Sequence, residues 1–130
     1  MAKTILFIED DQATIEVYEI ALKEAKFKVE AIQLGREAIE RINKINKGKA
    51  KKPDLVLLDI ILPDMNGIQI LQEIRKQKET KDLPVFILTN YGGREIEHLG
   101  YKLKAEQYIT KTNCLPRQLA KLVKERLKEK

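Results

Sequence analysis

PDLVLLDIILPDMNG, residues 53–67, is the stretch on which the fold turns. Leu55 to Leu58 is apolar without alternation, the pattern of a strand buried on both faces, and such strands belong to parallel sheets covered on both sides. The run ends in an acid, Asp59. Beyond Pro63, Gly67 sits where a helix begins, and Ile70, Leu71 and Ile74 then recur at helical spacing. Strand, acid, loop and amphipathic helix make up the repeating unit of an α/β domain.

The same unit recurs in both directions along the chain. Strands are predicted at Thr4–Glu9, Lys28–Gln33, Asp54–Leu58, Pro84–Leu88 and Gln107–Thr110. Helical spacing follows in Ala38, Ile39, Ile42 and Ile45, in Ile96, Leu99, Gly100 and Leu103, and in Leu119, Leu122 and Val123. Asp10 or Asp11 is placed to cap the first helix, with Ala13, Val17, Ile20 and Ala21 on its inner face. Gly35 marks the start of the second. Five strands alternating with five amphipathic segments predict an α/β fold, a five-stranded parallel sheet covered by helices on both faces, for which 2-1-3-4-5 is a doubly wound order.

Composition bounds what such a chain can be. With 130 residues it is expected to be a single domain, 1–130, without repeats, linkers or low-complexity segments. The last residues, KERLKEK, read as an exposed terminal turn or frayed tail, with no output domain after them. At 43% hydrophobic and 35% charged, the chain fits a soluble globular class and not a collagen-like, disordered or membrane one. No apolar run approaches the ~18 residues of a membrane span, and MAKTILFIED lacks the apolar core of a signal peptide, so a cytoplasmic location is expected. One cysteine, Cys114, cannot form an internal disulfide, and no Cys/His cluster has zinc-ligand spacing. His98 reads as an exposed side chain. Lys44 to Pro53, with five lysines and one glycine, reads as a solvated loop.

In an open parallel sheet, functional groups gather beyond the carboxyl ends of the strands, where the strand order reverses. The first predicted strand ends in Glu9, Asp10 and Asp11, the third runs into Asp59, the fourth into Thr89 and the fifth into Lys111. Order 2-1-3-4-5 brings those four ends together. Crowded acids repel, and without a partner at least one would take up a proton. A hard divalent cation removes the conflict, and Mg²⁺ suits one or two carboxylates plus phosphate oxygens, with Mn²⁺ as an alternative. With phosphoryl charge neutralised, the Asp59 carboxylate can attack phosphorus and form an aspartyl phosphate. Lys111 then offers a point charge to the phosphoryl oxygens and the Thr89 hydroxyl a hydrogen bond. Singly, acids after a strand are often helix caps and a lysine is usually solvated; the conjunction at four strand ends carries the reading.

The motifs ILFIEDD (5–11), PDLVLLDIILPDMNG (53–67), PVFILTN (84–90) and QYITKT (107–112) resemble the receiver domains of bacterial response regulators, along the whole chain. The resemblance implies a flavodoxin-like (βα)5 fold and a two-component signalling domain, not an enzyme, although self-phosphorylation from small phosphodonors and autodephosphorylation stay open. It implies a histidine kinase or histidine phosphotransfer protein as donor and a downstream protein as target. It further implies that Glu9 and Asp10 hold Mg²⁺, Asp10 more directly, with Asp11 as the cap. Asp59 becomes phosphoacceptor and third metal carboxylate, and the backbone carbonyl of Ile61 completes the protein ligands. Thr89 looks like the switch hydroxyl, Lys111 the phosphate-pairing lysine, and Tyr108 the aromatic that turns inward when Thr89 moves. Pro63 and Gly67 shape the loop after the phosphoacceptor. Helix four, strand five and helix five would be the altered surface, open to homodimer formation.

Three departures stand out. The family usually has a cis peptide before proline after the conserved lysine; here Thr112 follows Lys111. A cis bond before a non-proline residue costs ~2.5–4 kcal/mol, so either a trans bond with a rearranged loop or a strained exception is expected. Asn90 is larger than the usual residue after the switch threonine. Ile61 and Tyr91 occupy positions that tune hydrolysis of the aspartyl phosphate, and bulky groups there predict a long-lived phosphoryl state. Two rival classes fit the residues less well. A phosphatase of the haloacid dehalogenase type needs a second aspartate two residues after the nucleophile, where this chain has Ile61. A phosphorylation-independent protein- or nucleic-acid-binding module would suit the net charge of +5, but no helix-turn-helix or stacking platform accompanies it.

Overall fold

The structure, a computed structural model, describes residues 2–128. Strands β1 (Thr4–Ile8), β2 (Lys28–Ile32), β3 (Leu55–Leu58), β4 (Val85–Thr89) and β5 (Gln107–Thr110) alternate with helices α1 (Gln12–Glu24), α2 (Gly35–Asn46), α3 (Gly67–Lys76), α4 (Arg94–Lys102) and α5 (Pro116–Arg126). All strand pairs are parallel and their order is β2-β1-β3-β4-β5, as expected. The observed strands differ from the predicted ones by a residue at several ends. Glu9 and Gln33 lie just past β1 and β2, and β4 runs on to Thr89.

Alternation within the strands divides the core in two, because successive side chains point to opposite faces. Leu6, Ile8, Val56, Leu58, Val85 and Ile87 face a layer that includes Ile42 of α2 and Ile74 of α3. Ile5, Phe7, Leu55, Leu57, Phe86 and Leu88 face α1 and α5. β3 and β4 are buried throughout, while the edge strands β2 and β5 expose Lys28 and Gln107. Apolar strands therefore sit at the centre and polar ones at the rims, which protects the sheet edges from further pairing.

Helix α1 presents a different face from the one periodicity suggested. Ile15, Tyr18, Ala21 and Leu22 are buried, whereas Val17 and Ile20 are 51% and 62% exposed and Ala13 is exposed as well. Both stripes are apolar, so spacing alone could not choose between them. The phase is set at the helix start, where Asp11 accepts the Thr14 N–H at 2.9 Å, and by Tyr18, whose ring meets Phe7 edge-on at 6.3 Å. On α4, Leu99 is likewise outside the buried stripe, at 42% exposure, and Gly100 faces the sheet. A methyl group on Gly100 would stand 2.8 Å from Ile87 Cδ1, so the bare glycine lets this helix lie close. The KERLKEK stretch is also more ordered than expected. Lys124 to Arg126 belong to α5, Leu127 packs on the core and Arg126 pairs with Glu106, while Glu129 and Lys130 lie outside the described residues.

Helix starts near the site are built from side chains. Asn66 Oδ1 accepts the Ile68 N–H at 2.7 Å, and Gln69 Oε1 accepts the Asn66 N–H, which fixes the first turn of α3. α2 has no side-chain cap of its own. Asp64, from the loop between β3 and α3, accepts the N–H groups of Gly35 and Arg36 at 2.8 and 2.9 Å and caps α2 from a distance. Among the described residues, no helix is long and apolar enough to cross a membrane.

Candidate functional site

β1 and β3 lie side by side in the middle of the sheet, and chain connections leave them in opposite directions, so their carboxyl ends flank the crevice where such folds work. The sheet ladder extends into the acids. Glu9 N–H donates to Ile32 O and Asp59 N–H to Ile8 O, both at 3.0 Å. Each acid therefore has a backbone fixed by the sheet and a side chain at its rim. Glu9 is completely buried, Asp59 is 5% exposed and Asp10 is open to solvent. Carboxylate oxygens of all three lie within 4.8 Å of one another.

Two further strand ends close on Asp59. From β5, Lys111 Nζ stands 2.7 Å from Asp59 Oδ2 and 2.5 Å from Glu9 Oε1. From β4, the Thr89 hydroxyl donates to Asp59 Oδ1 at 2.5 Å, an oxygen that also accepts the Ile61 N–H at 3.2 Å. The other Glu9 oxygen accepts the Asp11 N–H at 3.0 Å. Lys111 meets Glu9 Oε1 as a close ion contact inside the pocket. Burial pushes the Glu9 carboxyl up, against the downward pull of Lys111 and the Asp11 amide. Burial alone would lower the Lys111 ammonium, but its contacts with Asp59 and Glu9 outweigh that and raise it.

Three carboxylates face one ammonium, so the pocket keeps an excess of negative charge when all are ionised. An exposed carboxylate beside two buried ones, three acids against one ammonium, is a donor set suited to a hard divalent cation.

The structure thus gathers Glu9, Asp10, Asp59, Thr89 and Lys111. Ile61 adjoins the pocket through its N–H, while its side chain is 52% exposed. Tyr108 stands to one side, half-buried beside Gly100 of α4. Its hydroxyl donates to Tyr91 O, and burial, then nearby Glu97, pushes its pKa up to about 12. Tyr91 in turn donates its N–H to Thr89 Oγ1 at 3.1 Å, which links Tyr108 to the pocket. Of the two outcomes expected after Lys111, the structure takes the trans bond. No peptide among the described residues is cis, and Lys111–Asn113 forms a 3-10 turn. Thr112 N–H donates to Asn90 Oδ1 at 3.1 Å, so the larger Asn90 is engaged with that turn. Sequence reasoning missed Tyr18, whose hydroxyl donates to Cys114 O at 3.0 Å and lies 3.4 Å from Lys111 O. Its place three residues after Ile15 was the available signal.

A doubly wound parallel sheet with this polar cluster at its switch point defines a class of small signalling domains. The chain belongs to the response regulator receiver domain family, whose model matches residues 5–124. It is 36% identical over 107 residues to the cell cycle response regulator CtrA of Brucella ovis, a match covering 82% of this chain and 43% of that protein. The chain therefore spans less than half the length of the curated relatives it matches. In three dimensions it is similar to the phosphorylated cyanobacterial phytochrome response regulator RcpA, with a TM-score of 0.84 and 28% identity over 96% of this chain and 93% of that one. The Mn²⁺-bound form of response regulator Rcp1 is similar too, with a TM-score of 0.82 and 25% identity, covering 95% and 92% of the two chains.

Proposed function

We propose that residues 1–130 act as one receiver unit in which Asp59 accepts a phosphoryl group from a histidine kinase or histidine phosphotransfer protein in the cytoplasm, and that a downstream protein reads the result. The observation that carries this is the convergence of Thr89, the last residue of β4, and Lys111, the first residue after β5, on the two oxygens of the buried Asp59. A phosphoryl group joined to one carboxylate oxygen would meet both donors, which are already in place where its charge arrives. RcpA supports the reading as a phosphorylated relative and Rcp1 as a metal-bound one.

In the transfer, a bond forms between an Asp59 oxygen and phosphorus, and the bond to the donor's leaving nitrogen or oxygen breaks. Glu9, Asp10, Asp59 and the Ile61 carbonyl would hold Mg²⁺, or Mn²⁺ in its place, and the bound ion would offset the negative charge of the phosphoryl oxygens. Lys111 exchanges part of its contact with Asp59 for a phosphoryl oxygen, and the Thr89 hydroxyl does the same on the other side. That pull on Thr89 alters the Tyr91 amide that leans on it, and Tyr108 is tied to the Tyr91 carbonyl. The pocket is thereby wired to the surface of α4 and β5, where a target or a second copy would sense the change. Ile61 and Tyr91, each about half exposed beside the pocket, restrict attacking water, so the phosphoryl group is long-lived.

Intact-mass spectrometry after incubation with acetyl phosphate and Mg²⁺ tests the reading. The natural chain should gain one phosphoryl mass only with the metal, and Asp59→Asn should gain none. No adduct with either acetyl phosphate or a kinase donor would sink it. Loss of the adduct within seconds under Mg²⁺ would refute the long lifetime alone.

A further inference from the structure

Lys111 reaches the pocket from a turn with little structure of its own. Lys111–Asn113 is a single 3-10 turn, after which the Cys114 N–H donates to Lys111 O at 3.3 Å. Two side chains from distant parts of the chain hold it. From α1, the Tyr18 hydroxyl donates to Cys114 O and stands near Lys111 O. Its own place is fixed by burial and by edge-on packing against Phe7 of β1. From the loop after β4, Asn90 accepts the Thr112 N–H. The Tyr18 hydroxyl, with one proton to give, holds the Cys114 end of the turn, and Asn90 holds the Thr112 N–H directly after the lysine.

We propose that Tyr18 and Asn90 are positioning residues for Lys111. By fixing two points of the turn that follows the lysine, Tyr18 at the Cys114 carbonyl and Asn90 at the Thr112 N–H, they set where the ammonium falls between Asp59 Oδ2 and Glu9 Oε1. The inference rests on the reading of Asp59 as phosphoacceptor and deepens it. A flexible lysine stem reaches many points, so a point charge is placed well only if the root of the side chain is held. Asn90 also follows Thr89 directly, so the groups that meet the two oxygens of Asp59 are joined through one hydrogen bond between their loops.

Phosphoryl uptake from acetyl phosphate with Mg²⁺, followed by intact mass over time, tests this in the whole chain. Tyr18→Phe keeps the buried ring and removes only the hydroxyl, and Asn90→Ala acts at an exposed position where folding is not at stake. Each should slow uptake about tenfold, the scale seen when a group that orients an active residue is lost. In a Lys111→Met background, followed over hours, neither should slow it further, which a general structural role would not predict. Unchanged rates in the natural background, or equal slowing in both backgrounds, would overturn the assignment while leaving Asp59 as acceptor. If the natural chain gained no phosphoryl mass from any donor, the functional reading would fall and this inference with it.

Discussion

Gly67 shows how tightly single residues constrain the pocket. A methyl group there would stand 2.2 Å from Asp59 O and 2.9 Å from Ile60 Cα, and both are backbone atoms that cannot turn aside. Its N–H also donates to Ile60 O at 2.7 Å. Gly67→Ala should therefore cost roughly 2–4 kcal/mol and slow phosphoryl uptake, because relief of the clash moves the backbone that carries Asp59. Denaturant unfolding and intact mass on one preparation check both halves. At Ile61 and Tyr91 the expected effect is on lifetime. Ile61→Asn and Tyr91→Ala should each shorten the persistence of the adduct without lowering its yield at short times, as read by mass after removal of acetyl phosphate. The residue types at the four strand ends were legible from sequence because each follows directly on its strand. Tyr18 was not, because its hydroxyl acts 93 and 96 residues away along the chain.

Among the elements, α1 tests whether packing or periodicity chose the buried face. Ile15→Ala should cost about 2–5 kcal/mol, as deletion of a buried aliphatic side chain does. Val17→Ser and Ile20→Ser should stay within about 0.5 kcal/mol, since both positions face solvent. Thermal and urea unfolding distinguish the two stripes. α2 carries a pH signature. Hydrogen bonds from the Arg36 and Gly35 amides hold the Asp64 carboxyl below the usual carboxylate range. A folded pKa below the unfolded one means that this stabilisation is fully present above the unfolded value of about 4 and is lost as pH falls through the folded one. Asp64→Asn, which cannot titrate, should be less stable than the natural chain at neutral pH. The gap should narrow on acidification below about pH 4, as measured by urea unfolding at a series of pH values.

For the whole molecule, Arg75 joins parts that lie far apart in sequence. Its guanidinium donates to Leu103 O at 2.7 Å, Leu83 O at 2.8 Å, Lys81 O at 2.9 Å and Lys104 O at 3.1 Å. One side chain of α3 thereby satisfies carbonyls before β4 and after α4. Arg75→Met should lose roughly 2–3 kcal/mol, discounted for its partial exposure, because carbonyls lose a charged donor. It should also speed hydrogen exchange at Ala105, whose amide donates to Gly100 O across that turn, and at Glu106, whose amide donates to Val85 O of β4. Retention of the natural exchange rates there would show that the turn holds without the arginine.

The sequence by itself determined the alternation of strands and amphipathic helices and the polar residues at the strand ends. Those follow from local facts: LVLL and VFIL are short apolar runs without alternation, as in strands buried on both faces, and each acid, hydroxyl or amine stands next to its strand in the chain. Only the tertiary structure decided which stripe of α1 is buried, that Asp64 caps α2, and that the Lys111–Thr112 bond is trans with Asn90 on its amide. The last two outcomes depend on contacts between residues more than 20 apart, Thr112 with Asn90 at a separation of 22 and Gly35 with Asp64 at 29, and the first on how Tyr18 packs against the sheet. Local propensity leaves such choices nearly degenerate, and packing together with hydrogen-bond satisfaction resolves them.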